Sequence, residues 1–440
     1  NFSGKMVGVA VAASAMMAVG GPITPPLGWN SWDCFQGNLN ESGALAVADT
    51  MVKFLAPAGY DILTIDEFWY ADDCAVGSNC LDSNGRPQPD VSKWPSSAGG
   101  KGFKPFADKV HAMGLRLGIH TLRGSVSSAA LAAKSPILGT QYTVNDIATT
   151  TCPWNKNWFA VNMSHPAAQT WLDSVYGQYA DWGIDLIKND CIFANDYVED
   201  NIKAVSAAIA QTGRDTVYSL SPGGGEPPVE FGQAKAIAND VNIYRVTGDW
   251  HGGNFDYHFT IAAQMQPLIS VDGLAGKSFP DLDMLNPYQN ASTDPDFRAQ
   301  MTLWSIARSP LIYGADLRDT ASFTADSFAL LTNPEVLAIT NSSTANQPRP
   351  AASSDDYVVW SAQSSAVAGG GTTYVAVVST APKQGTTADI AFKSVGVTGS
   401  RCTVRDMWAR MSLGQASKIS VGIPAGPHYF GALFAVSDCS

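Results

Sequence analysis

The segment Asp185-Leu186-Ile187-Lys188-Asn189-Asp190 is a short apolar run that ends in three polar residues. It follows a stretch from Gln169 to Trp182 in which Ala, Leu, Val and Tyr recur at helical spacing. A helical segment that leads into a buried, β-prone run is typical of a βα unit. Where such units repeat, a parallel sheet is expected.

The same alternation recurs from about residue 24 to residue 341. The candidate strands, with Asp185 to Asp190, are Leu27 to Trp32, Tyr60 to Asp66, Leu115 to His120, Val217 to Pro222, Ile243 to Asp249, Leu268 to Gly273 and Pro310 to Ala315. Eight units predict an α/β fold, a closed (β/α)8 TIM barrel. The alternative is a doubly wound open sheet, but that fold would not need ionisable groups at so many strand ends.

A second domain is expected after the barrel. Residues 342–356 are rich in Ser, Thr, Ala and Pro, which predicts a linker. Short β-prone runs separated by Gly- and Pro-containing turns fill residues 357–440, and this pattern predicts a C-terminal antiparallel β-sandwich. The runs are Tyr357 to Ala362, Tyr374 to Ser379, Ala388 to Val395, Cys402 to Trp408, Ile419 to Ile423 and Tyr429 to Val436.

Composition narrows the class of partner. The chain has 440 residues and 45% hydrophobic content, which is enough apolar material for packed domains. Its 27 basic and 39 acidic residues leave a net charge of −12. This charge disfavours binding to nucleic acid or to an anionic membrane. The 12 Trp and 14 Tyr provide aromatic surface for flat, polar ligands such as carbohydrates.

The N-terminal segment bears on location. Lys5 precedes an apolar run from Met6 to Val19 that is short for a membrane span, so residues 1–23 are interpreted as a signal-like segment. A buried N-terminal helix or strand is the alternative. No later segment approaches transmembrane length, and a secreted protein is expected. The Asn-x-Ser sequons fit that route; they begin at Asn1, Asn40, Asn162, Asn290 and Asn341.

The seven cysteines lack the spacing of a zinc site, so no metal is expected, and nothing in the sequence implies an organic cofactor. In a secreted chain, Cys74/Cys80 and Cys402/Cys439 are candidate disulfides, and Cys152/Cys191 is a further possible pair. Cys34 would then remain unpaired. The connectivity is otherwise left open.

Barrel active sites lie where the strands end, and polar residues gather at these positions. They are Asp66 and Glu67, His120, Lys188 and Asp190, Arg245 and Asp249, and Asp281 and Asp283. Retaining glycoside hydrolysis needs two carboxyl groups about 5 Å apart, one as nucleophile and one as acid. Asp190 and Asp249 are the candidates, with Lys188 and Arg245 nearby in sequence. Alternatively, these residues are helix caps and structural ion pairs.

Several blocks, in order, resemble glycoside hydrolase family 27, the α-galactosidase or melibiase family. They are Pro26-Leu27-Gly28-Trp29-Asn30-Ser31-Trp32, Tyr60-Asp61-Ile62-Leu63-Thr64-Ile65-Asp66-Glu67, Asp185-Leu186-Ile187-Lys188-Asn189-Asp190, Asp281-Leu282-Asp283-Met284-Leu285 and Ser309-Pro310-Leu311-Ile312-Tyr313-Gly314-Ala315-Asp316-Leu317. The resemblance covers the whole barrel and, more weakly, the C-terminal domain.

The resemblance implies a role for each matched residue. Asp190 would be the nucleophile and Asp249 the general acid and base. Trp32 would wall the sugar pocket, with plain core packing as the alternative. Asp66 and Glu67 would bind the axial and neighbouring hydroxyls of a galacto-configured sugar, and Lys188 and Arg245 would bind O3 and O2. Asp283 and His120 complete the expected substrate-binding residues.

Departures from the family pattern concern specificity. Glu67 stands where typical members have a second Asp, and its extra methylene would intrude where a hydroxymethyl group lies. β-L-Arabinopyranose matches α-D-galactose in its ring hydroxyls but lacks C6, so Glu67 resembles the β-L-arabinopyranosidase branch. His120 replaces a common Tyr and would either contact the sugar or support residues that do. Residues 219–226 lack the usual pattern near the sugar C2, and Gly223 to Gly225 are interpreted as a pocket rim rather than a phosphate loop.

These observations favour a secreted, retaining exo-glycosidase that removes terminal α-D-galactosyl or β-L-arabinopyranosyl residues from oligosaccharides or polysaccharide side chains. One alternative is an isomaltose-releasing enzyme of the same family that acts on α-glucans. Another is a catalytically silent sugar-binding protein. A carboxyl that must be protonated for catalysis predicts a mildly acidic activity optimum. The oligomeric state is left open.

Overall fold

A computed structural model of the chain describes residues 24–222, 231–250, 255–269, 273–285, 296–318, 325–364, 371–380 and 384–440. The signal-like segment, the Gly223 to Gly225 rim and the sequons at Asn1 and Asn290 lie outside these residues. In the described part of the chain, none of the helices combines the length and the hydrophobicity that crossing a bilayer requires.

Eight parallel strands of the described residues form the predicted barrel. They are β1 (Leu27–Asn30), β2 (Ile62–Ile65), β3 (Arg116–Leu122), β4 (Leu186–Phe193), β5 (Val217–Pro222), β6 (Ile243–Arg245), β7 (Phe279–Asp281) and β8 (Leu311–Tyr313). From β1 to β7 each strand pairs with the next one in chain order, and β8 pairs with β1. Leu285, which follows β7, forms a parallel bridge with Tyr313. This bridge closes the sheet, so the open-sheet alternative is wrong.

Helices surround the strands, as a βα barrel requires. The helices of the described residues are α1 (Trp32–Phe35), α2 (Glu41–Thr50), α3 (Lys104–Ala112), α4 (Ser128–Ala132), α5 (Val144–Ile147), α6 (Ala168–Trp182), α7 (Glu199–Gln211), α8 (Phe231–Ala236), α9 (Phe255–Met265), α10 (Phe297–Ile306), α11 (Ala325–Leu331) and α12 (Pro334–Ser342). The helix expected from Gln169 to Trp182 is α6, and Leu172, Val175 and Tyr179 on it are buried.

Close strand contacts set the barrel radius near the site. Gly28 of β1 lies against β2 so tightly that a Cβ on it would stand 2.6 Å from the carbonyl oxygen of Ile62. Only glycine therefore allows β1 to approach β2 at this level. The contact places the end of β1, with Trp32, beside the end of β2, with Asp66.

The seventh strand differs from the expectation. The seventh barrel strand is Phe279–Asp281 and not the predicted segment from Leu268 to Gly273, of which Leu268 ends a turn of 3-10 helix and residues 270–272 lie outside the described part of the chain. Pro280 hid the true strand, because proline lacks the N–H that a ladder uses. It is tolerated because the hydrogen bonds to the β6 side use the N–H of Phe279 and the carbonyl of Asp281.

The second domain is antiparallel, as predicted. Its strands among the described residues are β9 (Ser343–Pro348), β10 (Tyr357–Ser364), β11 (Thr373–Ser379), β12 (Thr386–Ala391), β13 (Cys402–Asp406), β14 (Met411–Ala416), β15 (Lys418–Ile423) and β16 (Gly431–Ser437). They form a six-stranded sheet in the order β9-β10-β11-β16-β13-β14 and a two-stranded sheet of β12 and β15. Buried side chains of both sheets, including Val375, Ile390 and Ile419, share one cluster.

Two strands of this domain have no apolar signature. The stretch 342–356, expected to be a linker, carries β9, whose residues Ser343 to Pro348 are mostly polar, and β14 is exposed along most of its length. Both are edge strands of the six-stranded sheet. An edge strand needs little apolar surface, which explains why the sequence pattern indicated a linker and a turn.

The structure confirms the cysteine pairing. Disulfides join Cys74 to Cys80, Cys152 to Cys191 and Cys402 to Cys439, and Cys34 is free. The Cys152–Cys191 disulfide ties β4 to a long excursion between β3 and α6. This excursion forms a small antiparallel sheet of Val126–Ser127, Ala148–Thr151 and Trp158–Val161.

Candidate active site

The predicted site residues converge on a single cavity of about 270 Å³ at the carboxyl ends of the barrel strands. All nine of them line it: Trp32, Asp66, Glu67, His120, Lys188, Asp190, Arg245, Asp249 and Asp283. The cavity is also lined by four residues that the sequence analysis missed, namely Asp33, Trp154, Pro222 and Met284. Residues at or near the ends of seven different strands therefore contribute to one pocket.

Asp190 lies within β4, near the point where that strand becomes irregular. Its Oδ1 accepts a hydrogen bond of 2.7 Å from the backbone N–H of Cys191, and its Oδ2 lies 3.3 Å from Nε2 of His120. Cys191 has a φ of 55°. This left-handed backbone conformation is unfavourable for a residue with a Cβ, so the backbone directly after Asp190 is held in a conformation that a cysteine rarely adopts.

Asp249 is at the mouth of the cavity. Its side chain is 53% exposed, whereas that of Asp190 is 13% exposed. Arg245 donates a hydrogen bond to Asp249 and another, of 2.9 Å, to Oδ1 of Asp283. Burial alone would lower the pKa of Arg245, but the charges of Asp283 and Asp249 outweigh it and raise that pKa. A buried guanidinium therefore orients two carboxylates at once.

Asp66 is held by three hydrogen bonds on the floor of the cavity, two to its carboxylate and one from its backbone N–H. Lys188 Nζ donates to its Oδ2 at 2.8 Å, the amide of Asn30 donates to the same oxygen at 2.7 Å, and Ser31 Oγ accepts from its backbone N–H at 2.9 Å. Burial alone would raise the pKa of Asp66. The positive charges of Lys188 and His120 outweigh burial and hold the pKa well below its usual range.

The pKa of Glu67 is shifted in the opposite direction to that of Asp66. Its side chain is buried, and the amide of Asn155 donates to Oε1 at 2.9 Å. Burial is the main cause that raises its pKa to about 7, and the nearby carboxylates add to the effect while His120 opposes it. At mildly acidic pH, Glu67 therefore carries a proton and can donate a hydrogen bond to a ligand.

His120 connects the two acidic groups. Burial would lower its pKa, but the charge of Asp66 and the hydrogen bond to Asp190 raise it. Its Nε2 is 4.0 Å from Oδ1 of Asp66 and 3.3 Å from Oδ2 of Asp190. His120 lines the cavity and also supports both carboxylates, so the two interpretations of this residue are compatible.

The aromatic wall is Trp32. Its ring stacks on that of Phe68 at a centroid distance of 6.2 Å, and its side chain is only partly buried. Trp29, by contrast, is fully buried in the core. Since Trp32 lines the cavity, it is not plain core packing.

Asp33 is the most informative residue that the sequence analysis missed. It is the second residue of α1, directly after Trp32, and its carboxyl lies against Gly314, where a Cβ would stand 2.6 Å from Oδ2. Burial is the largest cause that raises its pKa well above the usual value, and the charge of Asp283 adds to it. The strand-end rule that selected Asp66 and Asp190 also applies to β1 and could have found Asp33.

Comparison with known proteins identifies the family. The alpha galactosidase A model of the melibiase family matches residues 24–162 and 158–342, and the alpha galactosidase C-terminal beta sandwich model matches residues 354–428. The chain belongs to the melibiase family, glycoside hydrolase family 27. It is therefore a glycoside hydrolase, with the barrel and the sandwich matched by separate models.

Relatives of known structure cover nearly the whole chain. The GH27 β-L-arabinopyranosidase from Geobacillus stearothermophilus is 32% identical, with a TM-score of 0.83 over 94% of this chain and 96% of that one. A putative α-N-acetylgalactosaminidase from Bacillus halodurans is 27% identical, with a TM-score of 0.79 over 96% and 100% of the two chains. By sequence, α-galactosidase A from Cellvibrio japonicus is 31% identical over 75% of this chain and 70% of its own.

Proposed function

We propose that this protein is a retaining exo-glycosidase that removes terminal β-L-arabinopyranosyl residues in preference to α-D-galactosyl residues. Asp190 is the nucleophile and Asp249 is the general acid and base. The observation that carries the proposal is the convergence of Asp190, Asp249 and a set of charged hydroxyl-binding groups in one barrel-end cavity.

The environments of the two carboxyl groups fit a division of labour. Asp190 is nearly buried and is oriented by Cys191 and His120, as an atom that must attack an anomeric carbon needs to be. Asp249 is exposed at the mouth, where a leaving group departs and water enters. Arg245 donates a hydrogen bond to Asp249, and the charge of Asp190 is one of those that raise the pKa of Arg245. The guanidinium therefore interacts electrostatically with both carboxyl groups.

The reaction follows the double displacement of retaining glycosidases. A carboxylate oxygen of Asp190 attacks the anomeric carbon while Asp249 transfers its proton to the glycosidic oxygen, which leaves as an alcohol. The glycosyl ester of Asp190 is then hydrolysed by a water molecule whose proton returns to Asp249. The liberated sugar keeps its anomeric configuration, because two inversions occur in sequence.

Charged hydroxyl-binding groups support recognition of a galacto-configured ring. Asp66 is an ionised acceptor and Lys188 a buried donor, and they lie 2.8 Å apart across the cavity floor. A sugar hydroxyl that reaches this pair can accept from Lys188 and donate to Asp66. Such charge-assisted hydrogen bonds discriminate between epimers, since an epimer leaves buried charges unpaired.

Glu67 supports the preference for a pentopyranoside. Its side chain lines the cavity and is held by Asn155, so it cannot easily swing away from the ring. A hydroxymethyl group would compete with the Glu67 carboxyl for space, whereas β-L-arabinopyranose presents only hydrogen at this carbon. The related GH27 β-L-arabinopyranosidase from Geobacillus stearothermophilus, in a variant form, has a crystal structure in complex with arabinose, which is consistent with this choice.

The test is a rate assay of purified protein on the nitrophenyl glycosides of β-L-arabinopyranose and α-D-galactose. We expect a higher kcat/KM for the pentoside. A higher value for the galactoside would contradict the proposed preference, and turnover of neither would contradict the proposed function. If neither is turned over but galactose binds in calorimetry, the protein is a silent sugar-binding member. Release of isomaltose from dextran would instead indicate an α-glucan enzyme.

We also propose that the protein is secreted. Three disulfides support this location, because such bonds persist in oxidising compartments and are rare in the cytosol. Thiol counting on denatured protein isolated from its natural location should find one free thiol, that of Cys34. Seven reactive thiols in that preparation would contradict the proposal.

A further inference from the structure

Trp154 differs from every other tryptophan of the chain. All twelve tryptophans lie in the described residues, and Trp154 alone is exposed, with 42% of its surface accessible to solvent. It nevertheless lines the same cavity as Asp190 and Asp249. An exposed side chain that lines a cavity with a buried floor must be at its mouth.

The backbone around Trp154 is anchored to the site on both sides. Two residues before it, Cys152 is bonded to Cys191, which directly follows the nucleophile. One residue after it, the Asn155 amide donates to Glu67. The segment that carries Trp154 is therefore fixed relative to the carboxyl groups of the cavity, although the indole ring itself is exposed.

The hydrogen-bond donor of the Trp154 indole is not used by any protein group in the described part of the chain. The indole N–H of Trp154 has no hydrogen-bond acceptor among those residues, whereas the indoles of Trp29, Trp69 and Trp158 all donate. An aromatic face with an adjacent free donor suits a ligand that is apolar on its faces and polar at its edge. A pyranose ring has this character, since its C–H groups point up and down and its hydroxyls point outward.

We propose that Trp154 forms the binding site for the sugar ring on the leaving-group side of the scissile bond. The ligand is a pyranose unit that stacks on the indole while the glycosidic oxygen meets Asp249. The inference rests on the proposed function, because it needs the terminal sugar to occupy the cavity floor. It adds that the natural leaving group is itself a sugar.

The experiment compares two leaving groups in wild-type protein and in Trp154→Ala. The probes are the glycosyl fluoride of whichever sugar is the better substrate, and the disaccharide that carries the same glycosyl unit 1,6-linked to glucose. Fluoride is too small to reach Trp154. We expect Trp154→Ala to lower kcat/KM for the disaccharide by about 10-fold, as loss of an aromatic stacking contact does, and to leave the fluoride within about twofold.

Two further variants separate stacking from general effects. Trp154→Phe should recover most of the disaccharide activity, because it restores an aromatic face. Leu138→Ala removes a side chain of similar exposure that does not line the cavity, and it should affect neither substrate.

The outcomes are distinct. Equal loss on both substrates, or no loss on the disaccharide, would overturn the leaving-group site. Wild-type protein that hydrolyses neither the glycosyl fluoride of β-L-arabinopyranose nor that of α-D-galactose would overturn the proposed function itself.

Discussion

At the scale of single residues, Asp190 is largely buried, as suits a nucleophile, and Asp249 is exposed, as suits an acid and base that meets the leaving group and water. Replacing either by Asn keeps its shape and removes its ability to attack or to transfer a proton. We expect each variant to lose activity by at least about 10³-fold, because the two groups act on the same bond. The measurement is kcat/KM on the disaccharide that carries the better glycosyl unit 1,6-linked to glucose, because its alcohol leaving group needs the proton of Asp249.

The control for this pair is Asp181→Asn, an exposed carboxylate near the end of α6 that does not line the cavity. It should leave kcat/KM unchanged. All three variants should unfold at temperatures near that of the wild type. An Asp190→Asn variant that is folded and retains a tenth of the activity would exclude Asp190 as the nucleophile.

Glu67 provides a second prediction at this scale. Shortening it in Glu67→Asp opens space beside the ring, and we expect the ratio of pentoside to galactoside kcat/KM to fall by roughly 10-fold or more, the usual effect of one methylene in a pocket. Glu67→Gln keeps the length and should keep the preference. If both variants shift the ratio equally, charge rather than size controls it.

The sequence predicted the chemical residues of the site well, because strand ends in a barrel share one face of the molecule. It did not indicate how they are tuned. Asp66 and Glu67 are neighbours with opposite pKa shifts. Both pKa values are raised by burial, but the charge and hydrogen bond of Lys188, on another strand, lower the pKa of Asp66 and not that of Glu67. Such contacts depend on barrel closure, which no local pattern records.

At the scale of elements, the excursion between β3 and α6 joins the nucleophile strand to the cavity mouth through Cys152–Cys191. Replacing both cysteines by Ser should cost about 4 kcal/mol of unfolding free energy, from the loop that the bond closes. It should also lower kcat/KM, since the segment with Trp154 and Asn155 loses its anchor. Denaturant unfolding and steady-state kinetics measure the two effects.

The chain offers a matched control for this pair. Cys402 and Cys439 close a loop of similar length, with a sequence separation of 37 against 39, in the sandwich domain. Removing that disulfide should cost a similar free energy and leave kcat/KM unchanged under conditions where the protein is folded. Equal kinetic losses in the two variants would contradict a specific role for the Cys152–Cys191 bond.

Elements were predictable where they are apolar and periodic. The strands β2, β3 and β5 fall within one or two residues of their expected bounds. The misses were β7, which contains a proline, and the edge strands β9 and β14. The left-handed backbone at Cys191 was also invisible, because cysteine does not favour it and tertiary contacts impose it.

At the scale of the whole molecule, the barrel and the sandwich share polar contacts as well as a core. Trp408 donates to Thr302 Oγ1 at 3.0 Å, Asn333 donates to the carbonyl of Met407 at 2.9 Å, and Arg405 forms a two-pronged ion pair with Glu335. Leu433 of β16 packs in the same cluster as the barrel residues. We therefore interpret the sandwich as support for the α10 side of the barrel.

Carboxyl groups at the barrel mouth make global stability depend on pH. Burial raises the pKa of Glu67 and of Asp281 to about 7, and that of Asp33 well above its usual value. Each group stabilises the fold below its unfolded pKa and loses that contribution as pH rises through the folded value. Asp66 has the opposite sign, since its lowered pKa contributes stability that is lost as pH falls.

The sum predicts maximal thermal stability at mildly acidic pH. Tm should be highest near the unfolded carboxyl pKa values and should fall as pH rises towards 8. Three of these four buried groups have a raised pKa, and the other carboxyls whose pKa is lowered, such as Glu41, Glu199 and Asp389, are less buried than Asp66. Asp33→Asn should raise Tm relative to wild type more at pH 7 than at pH 4. A wild-type Tm that climbs steadily to pH 8 would contradict this prediction.

The central claim is that Asp190 forms a covalent bond to the sugar. The most direct measurement is to treat the protein with the 2-deoxy-2-fluoro glycosyl fluoride of the better substrate, which slows hydrolysis of the ester, and to map the label by mass spectrometry of peptides. We predict one glycosyl unit on the peptide that contains Asp190, and none in Asp190→Asn. Labelling of a different carboxylate, or unlabelled turnover that inverts the anomeric configuration, would contradict the account.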